Sequence, residues 1–404
     1  MFNPYFLVTF LYVALAVLGA LDASLINFDL LPTFAGLRWA RVHFITLGAL
    51  TEFAFGVLPI VVAARAGLPR PKIRWDIWLT LNLGLLILLL GIPMVNAVFI
   101  TTGGTLIFVA GVLLMIQLGG MRGSRGETQP AAGRKFYIAG VAYLLVGVLI
   151  GTGLWQGWST WLQIKVPLEA HIHANNWGFM SLVFAGLIVD LYPGFAGRSL
   201  AWPRSITRIF VMMTLGALGL VLGPWFQSNL FTVPGMLLHV AATIWLVLNM
   251  VKPLVGDAKL RTPGMLHLVT SYVWIIVPIL MAPLILLQVP GVPGPIIEQN
   301  APQALIYGWV LQFAYALIPL LVQRYLLGEQ HATFGGTWLS LLSVNIGSAL
   351  VWASIFIVPL RPVLHGTAYL FYSLSMLPIA WQFARMVRQK LATSEELMAV
   401  HAGD

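Results

Sequence analysis

The chain of 404 residues is 59% hydrophobic and only 9% charged, where a soluble globular chain carries about 25% charged residues; this excludes an ordinary soluble domain and makes the lipid bilayer its first partner. It contains no cysteine, which excludes disulfides, thiolate-ligated haem, iron–sulfur clusters and covalent c-type haem attachment within the chain. The net charge of +9 sits in loops between apolar segments, so it reads as a topology signal and not as a nucleic-acid footprint.

Apolar stretches close to the ~20 residues that a bilayer crossing needs recur along the chain. They predict twelve spans: 5–27, 39–63, 76–95, 98–119, 136–156, 166–191, 206–223, 230–251, 264–287, 303–326, 334–357 and 364–386. The first is too long for a secretory signal and lacks a basic lead, so it is expected to be a span. Pro93-Met94-Val95-Asn96 divides the third from the fourth. Basic residues follow the even-numbered spans: Arg65, Arg70, Lys72 and Arg74; Arg122, Arg125, Arg134 and Lys135; Arg198, Arg204 and Arg208; Lys252, Lys259 and Arg261; Arg324; and Arg385, Arg388 and Lys390. That puts 18 of the 22 Lys and Arg on one side and leaves Arg38, Arg41, Lys165 and Arg361 on the other. The positive-inside rule then predicts cytoplasmic N and C termini. The whole is expected to be one all-α membrane domain.

His43, His173 and Gln303 are spaced 130 residues apart, each early in the second span of a four-span set, and each is followed five residues later by glycine (Gly48, Gly178, Gly308). Pro59 and Pro319 occupy a further matching position. This predicts three pseudo-repeated four-helix arcs, approximately 1–133, 134–262 and 263–390, with 391–404 as a cytoplasmic tail. A transporter of the major-facilitator type also has twelve spans, but its repeat is six helices long.

Ionisable side chains at membrane depth usually face a cavity or the bundle interior. His43, His171, His173 and His365 are expected in the outer half, and His239 nearer the middle, where a helix–helix hydrogen bond is the simpler reading. His267, His331 and His401 read as structural or solvated. His171 and His173, two residues apart, point about 200° apart on a helix, so one helix offers an imidazole to each of two neighbours. Haem suits such opposed imidazoles better than zinc does, and its propionates call for cations. Arg38 and Arg41, one turn before His43, are placed for that role, and Arg361 is a third choice beside plain interfacial snorkelling. Trp39, Trp155, Trp158, Trp161 and Trp177 read mostly as an interfacial belt. Glu52 lies nine residues beyond His43, nearly opposite on an ideal helix. Proton relay and burial as a hydrogen-bonded neutral acid are equal readings for it. Asp190 reads as a helix-end or interfacial residue. Gln303, Tyr307 and Asn345 either line a distal pocket or bond between helices, the latter favoured for Asn345.

The run His171-Ile-His-Ala-Asn-Asn-Trp-Gly-Phe179 resembles the H-x-H-x-x-x-x-G-[WF] motif in subunit I of haem-copper oxidases, especially the branch that includes nitric oxide reductases. Gly36-Leu-Arg-Trp-Ala-Arg-Val-His43 is similar to that family's arginine-containing approach to its second-helix haem ligand, and twelve spans in three arcs is that subunit's architecture. The specific motifs cover about forty residues. The resemblance implies two b-type haems, His43 and His173 as an axial pair, and His171 as proximal ligand of the second haem. It also implies an electron-donor subunit, cytochrome c or quinol as partner, O2 or NO as diatomic ligand, and a bacterial inner membrane. The chain has no adjacent His-His pair, which that family's copper site uses, and its H-x-H lies in the second arc instead of the third. Copper therefore stays open, with His239 and His365 the spare imidazoles for a metal. NnrS-like haem and copper membrane proteins, with scattered intramembrane histidines, are a second resemblance. The leading expectation is a haem-binding oxidoreductase. A non-catalytic haem protein that binds nitric oxide or relays electrons and a cofactor-free transporter are the alternatives.

Overall fold

A computed structural model describes residues 3–33, 36–122, 132–329 and 332–402, leaving aside the side chains of 326, 390, 391 and 393–402. Arg125, His331 and the side chains of Lys390 and His401 lie outside the described residues. Among these residues there is no strand. Eleven helices are long and apolar enough to cross a membrane, and the chain is an all-α integral membrane protein. The spans are α1 Pro4–Asn27, α2 Leu37–Arg65, α4 Ala97–Gly120, α5 Arg134–Gln156, α6 Pro167–Ala196, α7 Pro203–Phe226, α8 Asn229–Leu254, α9 Pro263–Leu286, α10 Gly294–Tyr325, α11 Trp338–Phe356 and α12 Val358–Gln389. The twelfth apolar helix, α3 Trp75–Gly91, is shorter.

Local chemistry sets the ends. Asn3 accepts from the Tyr5 N–H ahead of Pro4, Asn96 caps α4 through the Phe99 N–H, and Thr337 and Ser340 form a capping box on α11, so each side chain satisfies an otherwise orphaned donor. Gly157 (φ 70°) and Gly197 (φ 69°) end α5 and α6 in the left-handed region, which glycine reaches without a steric penalty. The break after α3 falls at Ile92–Asn96, where Pro93 stands. Helix α10 starts at Gly294, nine residues ahead of the predicted apolar run, because its first turns (Glu298, Gln299, Asn300) are polar and carry no hydropathy signal.

The chain divides into two compact units. Unit 1 holds 1–53 and 258–404, and unit 2 holds 54–257. In unit 1, α12 packs along both α1 and α11, and α10 packs against α9 and α11. In unit 2, α3 pairs with α4, α4 with α5, α5 with α6, and α7 with both α6 and α8. Without a hydrophobic drive between helices in lipid, close approach of small residues carries such pairs. A Cβ on Gly103 would lie 2.8 Å from the Gly84 carbonyl oxygen, and one on Gly219 would lie 2.7 Å from Gly235 Cα.

Three spans differ from the rest. Of their most apolar windows, α2 is 89% buried, α6 83% and α10 100%, against 33–56% for the other eight. Each carries a seven-residue π-helical turn: Phe44–Leu50 in α2, Ala174–Met180 in α6 and Leu305–Leu311 in α10. Each turn begins one or two residues after His43, His173 or Gln303. In each, the glycine at the fixed spacing faces an aromatic ring of the preceding span: Gly48 faces Tyr12, Gly178 faces Tyr143, and Gly308 faces Trp274, so closely that a Cβ would overlap the ring. π-Turns favour functional segments because they leave main-chain groups and side chains displaced from the α register. The turn also changes the angle between His43 and Glu52, so the ideal-helix estimate of opposite faces does not hold.

Candidate functional site

In unit 2, the α-helical start of α6 carries His171 and His173, and each ring is tied to a different neighbour. His171 Nδ1 donates to the Gly147 carbonyl of α5 at 2.8 Å. His173 Nδ1 donates to the Leu220 carbonyl of α7 at 2.6 Å. A carbonyl oxygen only accepts, so Nδ1 must carry the hydrogen and a neutral ring keeps its lone pair on Nε2. A ligating histidine is oriented in this way, its second nitrogen donating to a carbonyl or carboxylate. Opposite acceptor helices also agree with the angular spread of residues two apart. Gly147 and Gly151, one turn apart on α5, make room for these groups: a Cβ on Gly151 would lie 2.7 Å from the His171 ring, and one on Gly147 would overlap Asn175.

His239 of α8 is fully buried. Its Nδ1 lies 3.4 Å from the Met213 carbonyl and its Nε2 lies 3.1 Å from Ser181 Oγ. Both nitrogens thus serve α6–α8 and α7–α8 cohesion, and a metal would have to displace Ser181. Trp177 is buried with its ring edge toward His239, 5.4 Å between centroids, so it belongs to the interior and not to an interfacial belt. Trp155 and Trp161 are exposed. Asp190 is also buried, not interfacial. It accepts from the Gly133 N–H and the Tyr137 hydroxyl, both at 2.9 Å, and stands 4.0 Å from Arg65 Nε.

Unit 1 holds His43, whose Nδ1 donates to the Trp39 carbonyl one turn back at 2.7 Å, while the Trp39 ring stacks on the imidazole at 4.2 Å. His43 therefore shares the tautomer of His171 and His173. His43 and His173 belong to different units, and each is described within its own. Arg38 is exposed and donates to the Gln299 carbonyl at 3.2 Å. Arg41 lies over the Tyr369 ring, 5.8 Å from its centroid. Arg361 donates through Nε to the Ser354 carbonyl at 3.3 Å. His365 is placed edge-on to Tyr369 at 6.3 Å, in the electrostatic field of Arg361 and Arg38. Glu52 is fully buried, with Tyr12 as an electrostatic neighbour.

Elsewhere in unit 1 several polar side chains bond to one another. Asn345 Oδ1 accepts from Trp274 Nε1 at 2.8 Å, Asn345 Nδ2 donates to Gln312 Oε1 at 2.9 Å, and Gln312 Nε2 donates to Thr270 Oγ1 at 2.7 Å. His267 Nε2 lies 2.8 Å from Ser340 Oγ. Gln312, Thr270 and Trp274 escaped the reading of the sequence; their only signal is polarity, or an indole N–H, inside apolar spans. Asn175, Gly147 and Gly151 were missed too, since only the fold brings α5 beside α6. Among the described residues no three of His, Cys, Asp and Glu come together as a metal-ligand set. No protein-family model matches the chain, and no curated protein matches it.

Proposed function

We propose that the protein is a haem-binding membrane oxidoreductase resembling haem-copper oxidase subunit I, with His43, His171 and His173 as iron ligands. The observation that carries this reading is the Nδ1–H bond of each imidazole to a main-chain carbonyl. It leaves Nε2 as the basic nitrogen and sets the ring plane before any metal arrives. The glycine cradle on α5 accommodates the His171 ring, and Arg41 and Arg361 each keep one buried, unpartnered guanidinium nitrogen, which suits a group bearing carboxylates. In this reading Arg38, Arg41 and Arg361 pair with propionates. When bound, b-type haem would supply one-electron chemistry and the capacity to bind a diatomic ligand such as O2 or NO. The chain's own part is to hold the rings, exclude water and, through Glu52, hold or pass a proton. Electrons come from a partner subunit, cytochrome c or quinol. The membrane is the bacterial inner membrane with both termini cytoplasmic, on the strength of the loop charges.

A second reading, a haem protein that binds nitric oxide or relays electrons without turnover, draws on the satisfied ring of His239 and the cationic surroundings of His365. Neither is poised to complete a copper site. The reduced-minus-oxidised spectrum of the detergent-purified protein, with pyridine haemochrome quantification, tests both. Wild type should show b-type haem, and His173→Ala should lose one haem signal. A wild type without haem, purified from haem-replete cells, sinks both redox readings and leaves a transporter or structural membrane protein.

A further inference from the structure

In unit 1, three side chains from three spans pack around the Tyr369 ring, and Arg361 acts on one of them, His365. The centroid of Tyr369 is 5.8 Å from the Arg41 guanidinium, 5.7 Å from the Tyr307 ring and 6.3 Å from the His365 ring. Arg361 precedes His365 by one helical turn on α12, so the two share a face. Each of the four keeps a buried polar atom without a hydrogen-bond partner: Arg41 Nε, Tyr307 Oη, Arg361 Nη2 and His365 Nε2. Tyr307 itself is 1% exposed. Buried polar groups are otherwise almost always paired, so four unpaired atoms on these neighbouring side chains require a common explanation.

All four can donate a hydrogen bond. With Arg38 also acting on Tyr369 and His365, the cluster carries three guanidiniums. An acidic side chain, Asp22 of α1, lies one turn beyond Gly19, whose Cα faces the Arg41 stem. Asp22 Oδ2 and Gln303 Oε1 are buried without partners too, and Asp22 forms no ion pair among the described residues. A metal cation at His365 would meet this positive field, whereas an anion is drawn by it. One wall is phenolic: Tyr307 stacks on Tyr372 at 4.3 Å, and Tyr369 meets both rings edge-on. Hydrogen-bond donors set beside stacked aromatic rings suit an organic carboxylate more than a hydrated inorganic ion.

We propose that Arg41, Arg361, His365 and Tyr307 form a carboxylate-binding site in unit 1, with His365 an anion partner and not a metal ligand. The carboxylate has two chemical sources: a propionate of haem, in which case the proposal rests on the haem reading, or a small organic acid from solution, in which case it does not. The full-length protein in detergent would be titrated with propionate and with succinate, and with chloride and inorganic phosphate at matched ionic strength, while its melting temperature and haem content are followed. Variants are Arg361→Gln, His365→Gln and Tyr307→Phe; the last keeps the ring stack and removes only the hydroxyl. A melting temperature that rises with carboxylate alone, with affinity about tenfold weaker in Tyr307→Phe, supports a site filled from solution, and it stands even if no haem is found. No such rise, but transfer of haem to a scavenger protein about tenfold faster in Arg361→Gln and Tyr307→Phe, supports a propionate as the occupant. Equal responses to chloride or phosphate, or neither carboxylate dependence nor any change in haem retention, would overturn the proposal.

Discussion

The same device occurs in α6 of unit 2 and in α10 of unit 1, with opposite results. Both carry a seven-residue π-turn, and in both a glycine faces an aromatic ring of the preceding span. In α6 the residue at the head of the turn is His173, and its ring is fixed to a carbonyl of another helix. In α10 the corresponding residue is Gln303, whose Oε1 is buried without a partner, and the hydroxyl of Tyr307 one turn on is unpartnered too. Register and backbone geometry therefore do not by themselves fix the side chain at the head of the turn. What distinguishes α6 is a neighbouring main-chain carbonyl at the right distance, which settles a tautomer and a ring plane.

The strongest test removes that fixation while leaving the histidine. Gly151→Ala puts a methyl group where the His171 ring now lies. Overpacking costs about 1–3 kcal/mol, and the ring atom crowded beside Cε1 is the Nδ1 that bonds Gly147, so displacement of the ring strains that bond. Loss of such an orienting partner weakens metal binding roughly 10–100-fold, so haem per protein should fall by a similar factor on dilution. Unchanged haem content and spectrum would mean that the bond to Gly147 does not orient a ligand.

Asp190→Ala should act on stability and not on the spectrum. It removes the buried carboxylate that accepts from the Gly133 N–H and the Tyr137 hydroxyl and ties the start of α5 to the end of α6, a loss of about 3 kcal/mol measurable by denaturant unfolding in micelles. A change in the haem spectrum without a loss of stability would show that the two ends of α6 are coupled more tightly than these contacts imply. Asn345→Leu makes the matching cut in unit 1, where Trp274 and Gln312 are the partners. Interhelical hydrogen bonds in membranes average about 0.6 kcal/mol, so a loss of about 1–2 kcal/mol is expected, with haem content unaltered.

How far these features were readable in the sequence depends on whether they are local. Helix number and placement follow from hydropathy alone, and the break at Pro93 is visible as it stands. The polar first turns of α10 are not, because hydropathy sees only apolar residues. The register of His43, His173 and Gln303 is readable; the π-turns behind them are not, since a main-chain hydrogen bond shifted by one residue leaves no mark in composition. Trp177 was misjudged as interfacial, and for Asp190 the interfacial alternative fails while the helix-end one stands. An indole near a predicted span end and an acid near the other look interfacial until the neighbours that bury them are known. The partners Gly147 and Leu220 contribute only main-chain oxygens, for which the side chain gives no signal at all.

Gln303→His isolates the role of register. It places an imidazole at the third mark, above an existing π-turn and an existing aromatic-on-glycine contact, and changes nothing else. If position within the repeat were sufficient, the variant would gain haem or show a new low-spin signal. The surroundings argue otherwise: the Gln303 side-chain oxygen finds no partner in its present position, and the Arg41 guanidinium lies within electrostatic reach of Tyr307, one turn on. An imidazole there has no fixed tautomer and faces a positive charge that disfavours a metal cation. The haem-to-protein ratio should therefore stay at the wild-type value, the smallest effect in the series. An added haem would show instead that the backbone device alone suffices and that the Nδ1 bonds of His171 and His173 are incidental.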